Sequence, residues 1–103
     1  MSEAERRRSP RYSVGLPVQV RAGADAGPGQ LKSISRLGAM VESENHHAVG
    51  TSLHLLIELP DDVIEVRGQV VRADAAGGVH SLGIMFAPLA QADLVKLDAL
   101  MPR

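Results

Sequence analysis

The 103-residue chain contains no cysteine and no tryptophan, and Tyr12 and Phe86 are its one tyrosine and one phenylalanine. Without thiols it can form no disulfide, offer no thiolate to a metal and attack no substrate through sulfur, an inventory that suits a reducing compartment. With so few aromatic rings it lacks the stacking platforms of a barrel that binds single-stranded RNA or DNA, so that class is the weakest reading. No apolar run approaches the roughly 20 residues of a membrane-spanning helix. The N-terminus is charged where a secretory signal needs an apolar stretch. The expectation is a cytoplasmic protein with no membrane insertion.

An excess of charge of either sign is missing too: 11 lysines and arginines stand against 12 acidic residues, for a formal net charge of -1. Non-specific binding to a nucleic-acid polymer needs a net basic face that releases many counterions, so such a partner is not expected. The apolar share of 45% and charged share of 22% are those of an ordinary globular chain. Its length fits one domain with one modest core.

What is present is local. "RRRSPR", residues 6 to 11, gathers four arginines. Ser9-Pro10 opposes helix, because the residue before proline is pushed toward extended conformations. Residues 1–13 read as a flexible arm, with almost no apolar side chain to bury against the entropy of ordering. Guanidinium can fork onto a phosphate through paired N–H donors and lay its face on a ring, which are the two surfaces of a nucleotide. The plain alternative is a solvated basic tail.

Residues 14–103 carry strand signals. Val14, Leu16, Val18 and Val20 recur every second residue, the period of a half-buried strand, with Pro17 marking an edge or bulge. "AGADAGPGQ", residues 22 to 30, is dense in Gly and Pro and reads as a loop. "LKSISRLGAMVES" reads as two short strands around a turn, and "ENHHAVG" as a second loop. Leu53, Leu55, Ile57 and Leu59 share one face until Pro60, and Asp61-Asp62 makes a turn. Ile64, Val66 and Val70 form the next row, with Gly68 at a point of close backbone approach. Gly77-Gly78 turns the chain, and Leu82, Ile84 and Phe86 alternate again. Six short strands with turn signals between them predict a mainly β protein, a small antiparallel barrel or sandwich. After Pro88, Ala90, Leu94, Leu97 and Met101 fall at helical spacing, with Asp93 and Lys96 left for the outer face, which predicts a C-terminal helix packed on that barrel.

"SISRLG" is the second segment with chemistry. If Ile34 points inward, Ser33 and Ser35 both point outward on one strand face, and Gly38 lets a backbone come close. His46-His47 is the nearest thing to a metal site, but adjacent side chains diverge and no third ligand has a telling spacing, so no metal is expected. G-x-S-x-G, Walker and H-E-x-x-H patterns are absent. The chain reads as a binder, not an enzyme.

Taken in order, the two segments resemble the PilZ domain family, bacterial receptors for cyclic di-GMP marked by R-x-x-x-R in an N-terminal arm and D/N-x-S-x-x-G some twenty residues later. Arg7 and Arg11 match the first motif, and Ser35 and Gly38 match the second. "GQVVRAD" and "LGIMF" look like the family's fifth and sixth strands. The resemblance implies a six-stranded antiparallel PilZ-type β-barrel with a C-terminal α-helix, no cofactor, and cyclic di-GMP as ligand. Arg6, Arg7, Arg11, Ser33, Ser35 and Gly38 would then form the site, with Arg6 stacking on an intercalated nucleotide dimer. Binding would order the arm, and an unidentified protein effector would read the result. Ser33 stands where the family usually has Asp or Asn and can present neither carboxylate nor amide to a guanine edge. The second reading is therefore a PilZ-fold interaction adaptor that binds the nucleotide weakly or not at all.

Overall fold

In a computed structural model, which describes residues 12–101, the apolar alternations become strands. They are β1 (Tyr12–Ala22), β2 (Asp25–Ile34), β3 (Gly38–Ser43), β4 (Ser52–Glu58), β5 (Val63–Ala76) and β6 (Val79–Phe86), followed by the helix α1 (Gln91–Ala99). The strands close into a barrel in the order β1-β2-β3-β6-β5-β4. Every neighbouring pair is antiparallel. Closure gives each strand a partner on both sides and removes the exposed edges that would otherwise template aggregation.

The core is the sum of the inward rows. Val20, Leu55 and Val66 face one another across β1, β4 and β5. Val41, Leu82, Ile84 and Val70 do so across β3, β6 and β5. A fully buried aliphatic side chain of this size contributes on the order of 1.5–3 kcal/mol, so these rows dictate which face of each strand turns inward. Pro17 follows a bulge between Ser13 and Leu16, and β4 begins to pair with β1 only at Val18. The proline sits at a bulge rather than at a free edge, where its missing N–H breaks no ladder on the β4 side.

Residues 22–30 differ from the expected loop. The chain turns through Gly23 and Ala24 alone, and β2 begins at Asp25. Gly23 has φ +61°, the conformation that lets a two-residue hairpin follow the strand twist. Gly27 and Gly29, in the same segment, serve close contact rather than a positive φ. A Cβ on Gly29 would lie 2.7 Å from the Glu42 carbonyl oxygen, and one on Gly27 would strike the Asn45 amide. Gly68 fulfils its expectation, since a Cβ there would lie 2.6 Å from Ile84 Cγ2 and 2.7 Å from the Met85 carbonyl oxygen. Gly77 and Gly78 both take positive φ in the β5–β6 turn.

The two barrel ends are closed differently. At one, Leu97 of α1 and Met101 just beyond it join the core, and Lys96 Nζ sits 3.0 Å from Asp62 Oδ2. Ala90, expected inside the helix, is its N-cap, and Met101 lies past its last turn. A nine-residue helix with no side-chain cap has little stability of its own and stands on this packing. At the other end residues 44–51 fold across the opening. The Gly50 N–H donates to the Val70 carbonyl at 2.8 Å, and the Val70 N–H donates to the Thr51 carbonyl at 2.9 Å. His47 is buried there.

Candidate functional site

β2 ends at Ile34, whose side chain is buried as expected. The next residue departs from the strand pattern. Ser33 is half-exposed on the outer face, but Ser35 is only 5% exposed and its hydroxyl does not face outward. The physical reason is that Ser35 already belongs to the turn. Its Oγ accepts from the Leu37 N–H at 3.2 Å and the Gly38 N–H at 3.3 Å, and donates to the Gly38 carbonyl at 3.3 Å. Its backbone N–H also donates to the Gly38 carbonyl, at 2.9 Å. A short hydroxyl that bonds its own turn offers the backbone an alternative to continuing the strand.

Gly38 completes the turn by approaching β6. A Cβ at this position would collide with the Ile84 carbonyl oxygen, so the close approach that the glycine permits is to a neighbouring strand. The Leu37 carbonyl accepts from the Phe86 N–H at 2.8 Å, which ties the turn to the end of β6. Between these anchors Arg36 projects outward, its side chain 69% exposed and its Nη2 3.2 Å from Asp98 Oδ1 on α1.

Cross-strand register extends the site along the outer wall. Ser33 lies opposite Ser13 of β1 on one side and Met40 of β3 on the other. Met40 faces Gly83, and Gly83 faces Arg72 of β5, whose Nε lies 3.0 Å from Asp74 Oδ2. The surface thus combines hydroxyls, a flat stretch at Gly83 and two exposed guanidinium groups, an arrangement suited to holding an anion with a planar part. Sequence reasoning passed over Arg36 and Arg72. Arg36 was legible, since it stands inside the S-x-S-x-x-G string, whereas Arg72 joins the wall only through register. Arg6, Arg7 and Arg11 lie outside the described residues, so of the expected site residues the structure brings together Ser33, Ser35 and Gly38.

Other polar groups lie elsewhere. An open cleft of about 260 Å³ between the β2–β3 ends and the β5–β6 turn is lined in part by Glu42 and Glu44, whose carboxylates repel an anionic ligand. His46 and His80 meet edge to face with ring centroids 5.5 Å apart. Beside them His47 keeps its proton affinity below the ordinary histidine value, chiefly because burial penalises the charged ring, with Asp25 opposing and His46 and His80 adding to the effect. Among the described residues His47 Nε2 has no hydrogen-bond partner. Among the described residues no three His, Asp or Glu side chains are placed to hold a metal ion, and no helix is long and apolar enough to cross a membrane.

The barrel fold matches known proteins. The chain superposes on the Bacillus subtilis inhibitor of motility MotI/DgrA with a TM-score of 0.75 at 24% identity, covering 92% of this chain and 48% of that one. It superposes on the PilZ domain of Escherichia coli YcgR, solved with c-di-GMP, with a TM-score of 0.73 at 16% identity, covering 92% and 88%. For the K. pneumonia MrkH–c-di-GMP complex the TM-score is 0.76 at 14% identity, covering 92% and 50%. The chain therefore spans about half the length of the MotI/DgrA and MrkH chains, and most of the YcgR domain. None of the curated protein sequences compared with it matches. The family model for the PilZ domain matches residues 5–101, which takes in the arginine arm, all six strands and α1, and the chain belongs to the PilZ domain family.

Proposed function

We propose that this PilZ domain is a cytoplasmic receptor for cyclic di-GMP that binds rather than catalyses and signals through a protein partner. The observation that carries the reading is the pairing of Ser13 with Ser33. Arg11 is two positions before Ser13, at most about 7 Å away at full extension, so chain length alone keeps the end of the R-x-x-x-R motif within reach of the Ser33–Gly38 site. The ligand engages Arg7 and Arg11 through its phosphates and Ser33 and the Ser35–Gly38 turn along the wall, and the arm becomes ordered when it binds. Solved relatives of the same fold carry c-di-GMP, as in the YcgR and MrkH structures.

Calorimetric titration of cyclic di-GMP tests this directly. Charge-assisted contacts contribute roughly 1.5–3 kcal/mol each. Arg7→Ala and Arg11→Ala should therefore each weaken binding about tenfold to a hundredfold, with melting unchanged. Unaltered affinity in both variants refutes the assignment. The same titration reads stoichiometry. Arg6 stacks on the extra guanines of an intercalated pair, so two nucleotides bind per parent chain and the ratio falls toward one in Arg6→Leu. A parent ratio of one eliminates the pair.

Ser33 favours one competing reading, an adaptor with the PilZ fold and little or no nucleotide affinity. Its hydroxyl reaches less far than the usual Asp or Asn and cannot make a bidentate contact to a base, a loss of about 1–3 kcal/mol by comparison with base readout elsewhere. Absence of heat in the titration of the parent selects that reading.

A further inference from the structure

On the side of the barrel away from β3, three potential cations line up across three hydrogen-bonded strands. Arg21 of β1 lies directly opposite His54 of β4, and His54 lies directly opposite Arg67 of β5. Strands are spaced about 4.8 Å apart, so the two arginines stand about 10 Å from each other with the imidazole between them. Both arginines are exposed, and among the described residues neither forms a salt bridge. Within the row it is His54 that meets a carboxylate, its Nδ1 lying 3.4 Å from Glu65 Oε1.

The barrel does not need this row. Like charges placed directly opposite on neighbouring strands are mildly destabilising, and the stabilising contacts here are made by the adjacent inward row, Val20, Leu55 and Val66. The row also shares no residue with the candidate site, which centres on the β2–β3 turn. Half-buried Leu56, between Gln19 and Glu65 in the next outward row, adds an apolar contact beside the charges.

We propose that the outer face of β1, β4 and β5 is the docking surface for an acidic helix of a protein partner, with Arg21 and Arg67 each taking one carboxylate and His54 lying between them. The spacing fits: residues seven apart on one face of a helix are about 10.5 Å apart along its axis. Two exposed guanidinium groups that pair with none of the described residues can form forked bonds to carboxylates without first breaking such a pair. That the occupant is a protein rests on the reading that this module signals through a second chain. The row shares no residue with the wall that runs from Ser13 through Ser33, Met40 and Gly83 to Arg72, so ligand and partner can be held together.

The test uses two fluorescein-labelled alanine-based helical peptides, one with glutamates seven residues apart and one with glutamines in their place, read by anisotropy. The parent should bind the glutamate peptide at low salt, bind it more weakly as salt rises, and ignore the glutamine peptide. Arg21→Glu and Arg67→Glu should each weaken binding about tenfold or more, while Lys32→Glu, the same charge change on β2, stays within about twofold. Thermal melting of each variant confirms the fold, and rescue by the double substitution's counterpart, a lysine peptide binding Arg21→Glu/Arg67→Glu, shows that charge complementarity is responsible.

Failure of the parent to bind the glutamate peptide, equal binding of both peptides, or loss in Lys32→Glu equal to that in the arginine variants overturns the proposal. So does tighter, Arg21- and Arg67-dependent binding to oligothymidylate or to phosphatidylserine vesicles, which would make the face a phosphate surface. Cyclic di-GMP titration of the same variants separates this inference from the functional reading. Nucleotide binding without peptide binding overturns only the docking surface, and peptide binding without nucleotide binding overturns only the receptor.

Discussion

Replacing Ser35 by alanine separates a structural role for this hydroxyl from direct contact with a ligand. The side chain is nearly buried, and its oxygen serves two N–H donors and one carbonyl across the turn, at 3.2–3.3 Å. These bonds are long, so each is at the weak end of the usual 0.5–1.5 kcal/mol, but deletion also leaves the Leu37 and Gly38 N–H groups without this acceptor in a part-buried turn. The expected loss is about 1–2 kcal/mol, which for a domain of this size lowers the melting temperature by roughly 4–12 °C. Urea denaturation of Ser35→Ala and of Ser33→Ala provides the comparison, since among the described residues Ser33 makes no comparable bond and its variant should melt like the parent. Hydrogen exchange should localise the loosening to residues 35–38 and to the Phe86 amide, which donates to Leu37. A Ser35→Ala variant as stable as the parent, with unchanged protection at these amides, would falsify the clip. If Ser35→Ala is destabilised and Ser33→Ala binds cyclic di-GMP less well at full stability, the two serines of one motif act at different links of the chain, one shaping the turn and the other meeting the ligand.

Three further outcomes are expected. Ser33→Asp should tighten cyclic di-GMP binding about tenfold or more by restoring a bidentate acceptor, and an unchanged dissociation constant would show that this position does not meet a base. Gly68→Ala should lose about 1–3 kcal/mol in urea denaturation, because the added methyl meets the Met85 carbonyl, which cannot rotate away, and a parent-like midpoint would count against the close approach of β5 and β6. His47 binds its proton less readily folded than unfolded, so the unfolded chain takes up more protons; its contribution is fully present above its ordinary value of 6.5 and is lost as the pH falls from there through the lower folded value. His47→Leu should flatten the fall in stability between about pH 7 and pH 5, and identical slopes for variant and parent would remove the buried imidazole as the cause.

Both plugs of the barrel bear on how a bound ligand is felt. Arg36 stands in the candidate site and reaches Asp98 on α1, but an ion pair this exposed contributes little, whereas Leu97 and Met101 anchor the helix through burial. The site wall and the helix are therefore in contact without the helix depending on that contact. At the other end the loop over His47 is tied by backbone bonds to β5, the strand that also carries Arg67 and Arg72.

Local chemistry was enough to determine the inward rows, the double-glycine turn, the close approach at Gly68 and the helical tail. Each depends on residues within a few positions of one another: period two with β-branched and leucine side chains, positive φ at Gly77 and Gly78, and the change of period after Pro88. The family could be read as well, because its signature is an order of residues along the chain. Distance along the chain hid the rest. Glycine and proline at 27–29 signal a loop when nothing lies across from them, and a strand when Asn45 and the Glu42 carbonyl do, which no local pattern states. Ser35 looked outward by alternation, but alternation lasts only while the strand does, and the strand stops where Gly38 packs against Ile84 of β6. His47 acquires its depressed proton affinity chiefly from burial under a loop laid over the barrel end, with His80 on another element adding to it and Asp25 opposing. Arg21, His54 and Arg67 are unrelated in sequence and become one surface only because closure of the barrel sets β4 between β1 and β5 in a single register, and register is decided by the whole core at once.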